Sequence, residues 1–250
     1  MKIIGVIPSR WGSTRFPGKS LTPLCGKPLV RWVAEACLRA RVLDEVVVAT
    51  DDTRIAEALS GVAVRVAMTR PDHPSGTDRV AEAAGAGDAD VVVNIQGDEP
   101  LIDPALIDAV AMKVADDGGW QMSTACAPIT DSAELAAPTI VKVVLDAADG
   151  ALYFSRLPIP FQRDGVADPA SGLYQRHIGI YGYRGDFLNK LVRTPPCELE
   201  QAEALEQLRA LWLGGRIGVV RSQERGIGVD RPEDVAVVER IIRERGLACV

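Results

Sequence analysis

Apolar residues in this chain gather in short runs rich in valine and isoleucine, separated by longer stretches with helical spacing. The runs Lys2–Pro8, Glu45–Thr50, Ala63–Ala67 and Asp90–Gln96 have the length and β-branched content of buried strands. Between them, Leu29–Ala40 (opening after Pro28), Thr53–Leu59 and Thr77–Ala84 read as helices, and Pro104 starts another through Val114. Strands that alternate with helices predict a mostly parallel sheet covered on both faces. Beyond Gly119 the rhythm changes. Segments Gln121–Ala127, Val141–Asp146, Leu152–Phe154 and Ile178–Arg184 read as strands separated by polar loops, not by helices. We read residues of about 121–213 as a mixed-sheet extension that carries substrate contacts and a dimer interface, built into one domain spanning 1–250. A helix Glu198–Leu213, a strand Ile217–Arg221 and a last helix Pro232–Arg245 complete the chain.

Composition narrows the function. The net charge is −6, so a local basic site fits a small anionic ligand better than a nucleic acid. No apolar run reaches membrane-spanning length, and Lys2 leads straight into a short strand closed by Pro8, so neither a membrane partner nor a signal peptide is expected. Cys25, Cys37, Cys126, Cys197 and Cys249 have no paired spacing and read as reduced thiols of a cytoplasmic protein. With two histidines, a metal would need oxygen ligands.

The densest chemistry lies directly after the first strand, in Ser9-Arg-Trp-Gly-Ser-Thr-Arg-Phe-Pro-Gly-Lys19. Gly12 and Gly18 allow backbone to approach a polyphosphate closely. The Ser13 and Thr14 hydroxyls and the cations of Arg10, Arg15 and Lys19 can share phosphate oxygens. Neither the P-loop nor the dinucleotide fingerprint is present. The loop resembles the signature loop of sugar-nucleotide-forming nucleotidyltransferases; the plainer reading is a basic surface loop.

Gln96-Gly97-Asp98-Glu99-Pro100 follows the strand Val91–Ile95, at the strand end where open α/β sheets bind ligands. A carboxylate at Asp98 suits Mg²⁺ coupled to a triphosphate, whereas a solvated turn is the alternative. Asp230, in Gly228-Val229-Asp230-Arg231-Pro232-Glu233, reads as a second metal ligand or as half of a capping box for the last helix. Asp51 and Asp52 read as N-caps. In Thr69–Arg79, Ser75 or Thr77 can start a helix, and Arg70 and Arg79 can bind an anion or read a base, or simply be exposed.

Further runs complete the pattern: Val141-Lys142-Val143-Val144-Leu145-Asp146, Ala151–Arg156, Arg176-His177-Ile178-Gly179-Ile180-Tyr181-Gly182-Tyr183 and Leu205-Glu206-Gln207-Leu208-Arg209. Together, in order from end to end, these clusters resemble the CMP-KDO synthetase family of cytidylyltransferases. The resemblance implies a Rossmann-like α/β fold of the nucleotide-diphospho-sugar transferase type. It implies the reaction of CTP with the eight-carbon acid sugar KDO to give CMP-KDO and pyrophosphate, and a homodimer. Arg10, Ser13 and Lys19 are then implied to hold the triphosphate, with Lys19, Arg10 and Asp98 catalytic. Asp98 and Asp230 are implied Mg²⁺ ligands, which favours the ligand reading of Asp230. Arg70, Ser75 and Gln96 are implied to position nucleotide or sugar, and Arg156, His177, Tyr181, Glu206 and Gln207 to face the sugar. His177 and Tyr181 share one strand face, and Glu206 and Gln207 point differently from a helix, so at least one of the latter can be merely solvated. The chain departs from the family pattern at Thr139 (usually asparagine), Arg231 (typically threonine) and Gln201 (histidine in some relatives). An amino analogue of KDO, a sialic-type acid or a polyol phosphate as acceptor, or a CTP-binding regulator without turnover, are the competing readings.

Overall fold

The structure, a computed structural model, describes residues 1–12, 16–85, 87–116, 118–223 and 225–247. Its backbone divides into two compact units, Met1–Asp108 with Gly226–Val250, and Ala109–Arg225.

The first unit begins with β1 (Ile3–Pro8), a small hairpin of β2 (Pro23–Leu24) and β3 (Lys27–Pro28), and α1 (Leu29–Cys37). It continues through β4 (Glu45–Thr50), α2 (Thr53–Ala58), β5 (Arg65–Met68), α3 (Gly76–Ala84), β6 (Val91–Asn94) and the first turn of α4 (Pro104–Ala115). The strand order is β6-β1-β4-β5, and every pair is parallel, with Ile3 opposite Val91, Ile4 opposite Glu45 and Val47 opposite Arg65. Parallel neighbours cannot be joined by a tight turn, so α1, α2 and α3 serve as the crossovers. Val6, Ile7, Val47, Val48 and Val93 are fully buried, as are Leu29, Val30, Val33 and Cys37 of α1 at helical spacing. These apolar stems leave the carboxyl ends of β1, β4, β5 and β6 along one edge, and the loops at Ser9, Asp51, Thr69 and Gln96 all start there.

The second unit contains β7 (Met122–Pro128), α5 (Ser132–Ala136), β8 (Lys142–Leu145), β9 (Ala151–Ser155) and β10 (Gln175–Arg184). These are followed by α6 (Gly185–Arg193), α7 (Glu198–Glu203), α8 (Gln207–Trp212) and β11 (Ile217–Arg221). Here β11 runs parallel to β7, whereas β7–β10, β10–β8 and β8–β9 are antiparallel, which is the expected mixed sheet. The chain then returns to the first unit through α9 (Asp234–Glu244).

Three sequence expectations are corrected in this region. The connections between the strands beyond Gly119 are not all loops, because α5 forms between β7 and β8; α6, which follows β10 and was not anticipated, buries Phe187, Leu188 and Leu191, a narrow stripe that short-range pattern reading overlooks. The helix expected over Glu198–Leu213 is two helices, broken where Ala204 adopts a left-handed φ of 51° and Leu205 N–H closes onto the Glu200 carbonyl at 3.2 Å. A buried ion pair spans the break, with Arg209 Nε and Nη2 donating to the Glu200 carboxylate at 2.7 and 2.6 Å. The last helix starts at Asp234, two residues later than expected, because the Asp234 carboxylate itself accepts the Asp230 and Arg231 amides, both at 2.8 Å.

Candidate active site

Along the strand edge of the first unit, the loop after β1 is fastened at its base. Ser9 Oγ donates to Ser20 Oγ at 2.8 Å in a buried contact, and Gly18 N–H donates to the Trp11 carbonyl at 3.2 Å. Gly18 has φ 71°, and a Cβ there would stand 3.0 Å from the Trp11 indole, so glycine meets both the left-handed backbone and the close ring. The turn ends by presenting Lys19, the first residue of a short 3₁₀ segment. Arg10 is exposed at the mouth of this loop, while Ser13, assigned to the triphosphate by the sequence, lies outside the described residues together with Thr14, Arg15 and Cys249.

Lys19 Nζ donates to Asp98 Oδ2 at 2.6 Å and lies 3.6 Å from Asp230 Oδ1. Two backbone contacts bring these distant residues together. Gly97 passes so close to β1 that a Cβ would stand 2.6 Å from the Pro8 carbonyl, and Val229 N–H donates to the Asp98 carbonyl at 2.8 Å. Gln96, half-buried, forms the shoulder of the same turn by accepting the Glu99 amide at 3.3 Å. Asp230 is not the helix cap that its spacing with Glu233 allowed, since Glu233 occupies the cap position without a side-chain capping bond. Among the described residues, no three His, Cys, Asp or Glu side chains cluster as a metal cage. Two carboxylates with one ammonium fit Mg²⁺, which at phosphoryl sites takes one or two protein carboxylates and fills its remaining positions with phosphate and water oxygens.

The neighbouring loop resolves the open readings at Thr69–Arg79. Ser75 is the N-cap of α3, accepting Asp78 N–H at 3.2 Å while its hydroxyl donates to Asp78 Oδ2 at 2.6 Å. Arg70 is exposed, its amide and Nε held by Glu82 at 3.2 and 3.3 Å, and His73 Nε2 pairs with the same carboxylate. For Arg79 neither open reading holds, the anion or base contact or the exposed cation: it is a structural cation, 3% exposed, with Nη2 on Asp51 Oδ2 at 2.8 Å and Nη1 on Thr69 Oγ1 at 2.5 Å. Asp51 is likewise no cap; Asp52 alone caps α2 through Arg54 N–H at 2.9 Å.

The second unit gathers a different set. Arg156 Nε, Nη1 and Nη2 each donate to a backbone carbonyl, those of Glu203 (2.7 Å), Pro138 (3.1 Å) and Ala204 (3.2 Å). Its amide and the Ser155 hydroxyl sit on the Glu203 carboxylate at 3.0 and 2.8 Å. Lys142 is fully buried, donating to the Ala137 and Arg156 carbonyls at 2.7 and 2.8 Å, and burial, then the charge of Arg156, lowers its pKa. His177 stacks edge-on to Phe154 with ring centroids 5.0 Å apart and pairs through Nε2 with Thr124 Oγ1 at 2.8 Å. Tyr181 sits 5.4 Å from the His177 ring, on the same face, despite a bulge in β10 between Ile178 and Gly182. Glu206 is half-buried and Gln207 only 4% exposed, so neither is a merely solvated side chain. Lys142 and Glu203 had no assigned role, and Asp51 and Arg79 had different ones; the contacts of all four are tertiary and leave no spacing in the sequence.

A parallel α/β sheet that presents Lys19 between two carboxylates on its carboxyl edge has the frame of a nucleotidyltransferase. The family model described as cytidylyltransferase matches residues 4–217. The 3-deoxy-manno-octulosonate cytidylyltransferase of Bdellovibrio bacteriovorus is 47% identical over 249 residues, covering 99% of this chain and 100% of that protein. That of Pseudomonas syringae pv. syringae is 50% identical over 247 residues, covering 95% and 96%. A solved structure of CMP:2-keto-3-deoxy-manno-octonic acid synthetase complexed with CTP superposes with a TM-score of 0.91 at 40% identity, covering 98% of this chain and 100% of that one. The 4-diphosphocytidyl-2C-methyl-D-erythritol synthase of Anaerococcus prevotii, 11% identical with a TM-score of 0.66 over 97% of this chain and 98% of its own, shares the fold. The chain belongs to the cytidylyltransferase family.

Burial pushes the His177 imidazole down to about 3, so it is neutral near pH 7. An unfolded chain binds that proton below about pH 6.5 and the folded one does not, so stability falls as pH drops from about 6.5 toward 3. A His177→Gln variant is expected to lose part of this acid sensitivity. Denaturant midpoints at pH 7 and pH 5 check it, and an unchanged difference between the two pH values rejects the assignment.

Proposed function

We propose that this chain transfers the cytidylyl group of CTP to the anomeric hydroxyl of KDO, releasing pyrophosphate and giving CMP-KDO for lipopolysaccharide synthesis. The supporting observation is the Lys19 ammonium, 2.6 Å from Asp98 and 3.6 Å from Asp230 on the strand edge, in a chain of this family.

No side-chain nucleophile is required, because the sugar hydroxyl attacks the α-phosphorus as pyrophosphate leaves in line. Catalysis then consists of positioning and charge neutralisation. Asp98 and Asp230 would hold Mg²⁺, which when bound offsets phosphate charge as it shifts toward the leaving group. Lys19 is the cation for the departing pyrophosphate, and Arg10 and Ser13 add contacts to the triphosphate. Arg70, Ser75 and Gln96 border the nucleotide, with Ser75 acting through the helix turn that it caps. Arg156 spends three of its N–H donors on carbonyls, so two of a guanidinium's five remain for the KDO carboxylate. His177, neutral, can exchange hydrogen bonds with sugar hydroxyls but brings no charge, and Tyr181, Glu206 and Gln207 complete the sugar side. Among the described residues no helix is long and apolar enough to cross a membrane.

Pyrophosphate release on mixing the protein with CTP, KDO and Mg²⁺ tests the reaction, with the amino analogue and a sialic-type acid as competing acceptors. Asp98→Asn nearly preserves shape while removing a negative oxygen, and is expected to abolish turnover in a folded protein. Asp230→Asn is expected to behave alike. Near-normal turnover of Asp230→Asn at saturating Mg²⁺ removes that residue from the metal site.

Arg156→Ala is expected to lower kcat/KM for KDO by about tenfold to a few hundredfold, the loss of a charge-assisted contact, and to leave CTP binding unchanged. Titrations with CTP and steady-state kinetics with KDO separate the two; an equal loss of CTP affinity moves Arg156 out of the sugar role.

The second unit also exposes Leu152, Leu157, Phe161, Val166 and Leu173, with Phe161 and Val166 each 87% accessible. So much apolar side chain on one segment is costly in water and fits burial against a second copy of the chain. Phe161→Asp is expected to shift the protein from dimer to monomer in sedimentation velocity. A wild-type protein that sediments as a monomer rejects the dimer.

A further inference from the structure

The chemistry above leaves unused a buried ion pair at the same strand edge. The Asp51 carboxylate divides its two oxygens between two loops. Oδ1 accepts the Trp11 amide at 3.2 Å, and Oδ2 accepts Arg79 Nη2 at 2.8 Å. Asp51 has 12% of its side-chain surface exposed and Arg79 has 3%. Arg79 Nη1 continues the chain of contacts to Thr69 Oγ1 at 2.5 Å, and Thr69 is itself fixed to the end of β4, its amide on the Thr50 carbonyl at 2.8 Å. One carboxylate thus joins the loop after β1, the end of β4 and the first turns of α3.

Trp11 is the residue through which this reaches the first loop. Its amide hangs from Asp51, its carbonyl receives Gly18 N–H at 3.2 Å, and its indole lies between Gly18 and the Arg54 guanidinium, 3.4 Å above the ring. Lys19 follows Gly18 directly, so the position of Trp11 sets where the loop closes and where the ammonium emerges. A buried ion pair adds little net stability compared with apolar residues of the same volume. Its distinctive contribution is direction, since a carboxylate fixed by a guanidinium on one oxygen holds the other oxygen in a set place for the amide it accepts.

We infer that Asp51 and Arg79 are positioning residues for the triphosphate-binding loop: neither touches substrate, and together they set the height of Trp11 and so the seat of the β- and γ-phosphates. This rests on the reading that the Ser9–Lys19 loop holds the triphosphate.

The test compares CTP with CMP, which lacks the β- and γ-phosphates, by calorimetric titration of the full chain in Mg²⁺. In Asp51→Asn the amide group can still accept from Trp11 but faces Arg79 with a donor, so the pair is broken with little change of volume. CTP affinity is expected to fall about tenfold or more, the range of one charge-assisted hydrogen bond, with CMP affinity and the KM for KDO unchanged. Equal losses for CTP and CMP, or no loss in a folded protein, overturn the inference, because a merely structural role does not move the CTP-to-CMP ratio. If the wild-type protein binds CTP no more tightly than CMP, the triphosphate reading of the loop fails first and this inference with it. Should Asp51→Asn melt below the assay temperature, Arg79→Lys, which keeps the charge but gives up the second N–H to Thr69, is read by the same ratio. A smaller fall in the same direction supports the inference, and an unchanged ratio overturns it.

Discussion

Two carboxylates on one strand edge require a cation between them, and much of the first unit is arranged to meet that demand. Like charges drawn to one cation repel each other, and at a protein surface water screens that repulsion only in part. Lys19 reaches both Asp98 and Asp230, and each participant arrives by a backbone device and not by side-chain reach alone. The left-handed Gly18 turns the chain into Lys19, Gly97 brings the Asp98 turn against the end of β1, and the Val229 amide ties the segment after the second unit to Asp98. Substituting either glycine moves a charge as well as a backbone.

Much of this was readable in the sequence because it is local. β-branched runs and helical spacing located the parallel strands and their crossovers, and strand ends placed Ser9–Lys19 and Gln96–Pro100 on the functional edge. What escaped was tertiary. Asp51 and Asp52 stand side by side after a strand, and sequence offers both the same capping role. Only the structure shows that Asp52 turns to α2 while Asp51 turns to Trp11 and Arg79. Asp230 made the opposite case: a good local cap reading lost to Asp234, whose carboxylate takes the two incoming amides. The break at Ala204 was invisible for a similar reason, because alanine is a strong helix former and its left-handed conformation there is imposed by context.

That break has a use in the second unit. Ending α7 at Glu203 exposes the carbonyls of Glu203 and Ala204, which an unbroken helix would have spent on its own hydrogen bonds. Arg156 takes both, and the Glu203 carboxylate returns to the Arg156 amide. The buried Lys142 ammonium then pins the Arg156 carbonyl from the β8 side. A guanidinium held on backbone loses little freedom on meeting an anion, which lowers the entropy cost of recognition.

Electrostatics sets the last constraint. The protein carries a net charge of −6, and both CTP and an acid sugar are anions, so no long-range field draws either substrate in. Recognition must rest on cations placed at short range. In the first unit the described cation closest to the carboxylates, Lys19, is shared with Asp98 and Asp230. A bare triphosphate arriving there would meet two carboxylates and one ammonium, an unfavourable balance. A triphosphate that brings its own divalent cation satisfies the carboxylates and leaves Lys19 available to the phosphates. With Mg²⁺ held as proposed by Asp98 and Asp230, this charge pattern would favour the metal-bound form of the nucleotide over the free one.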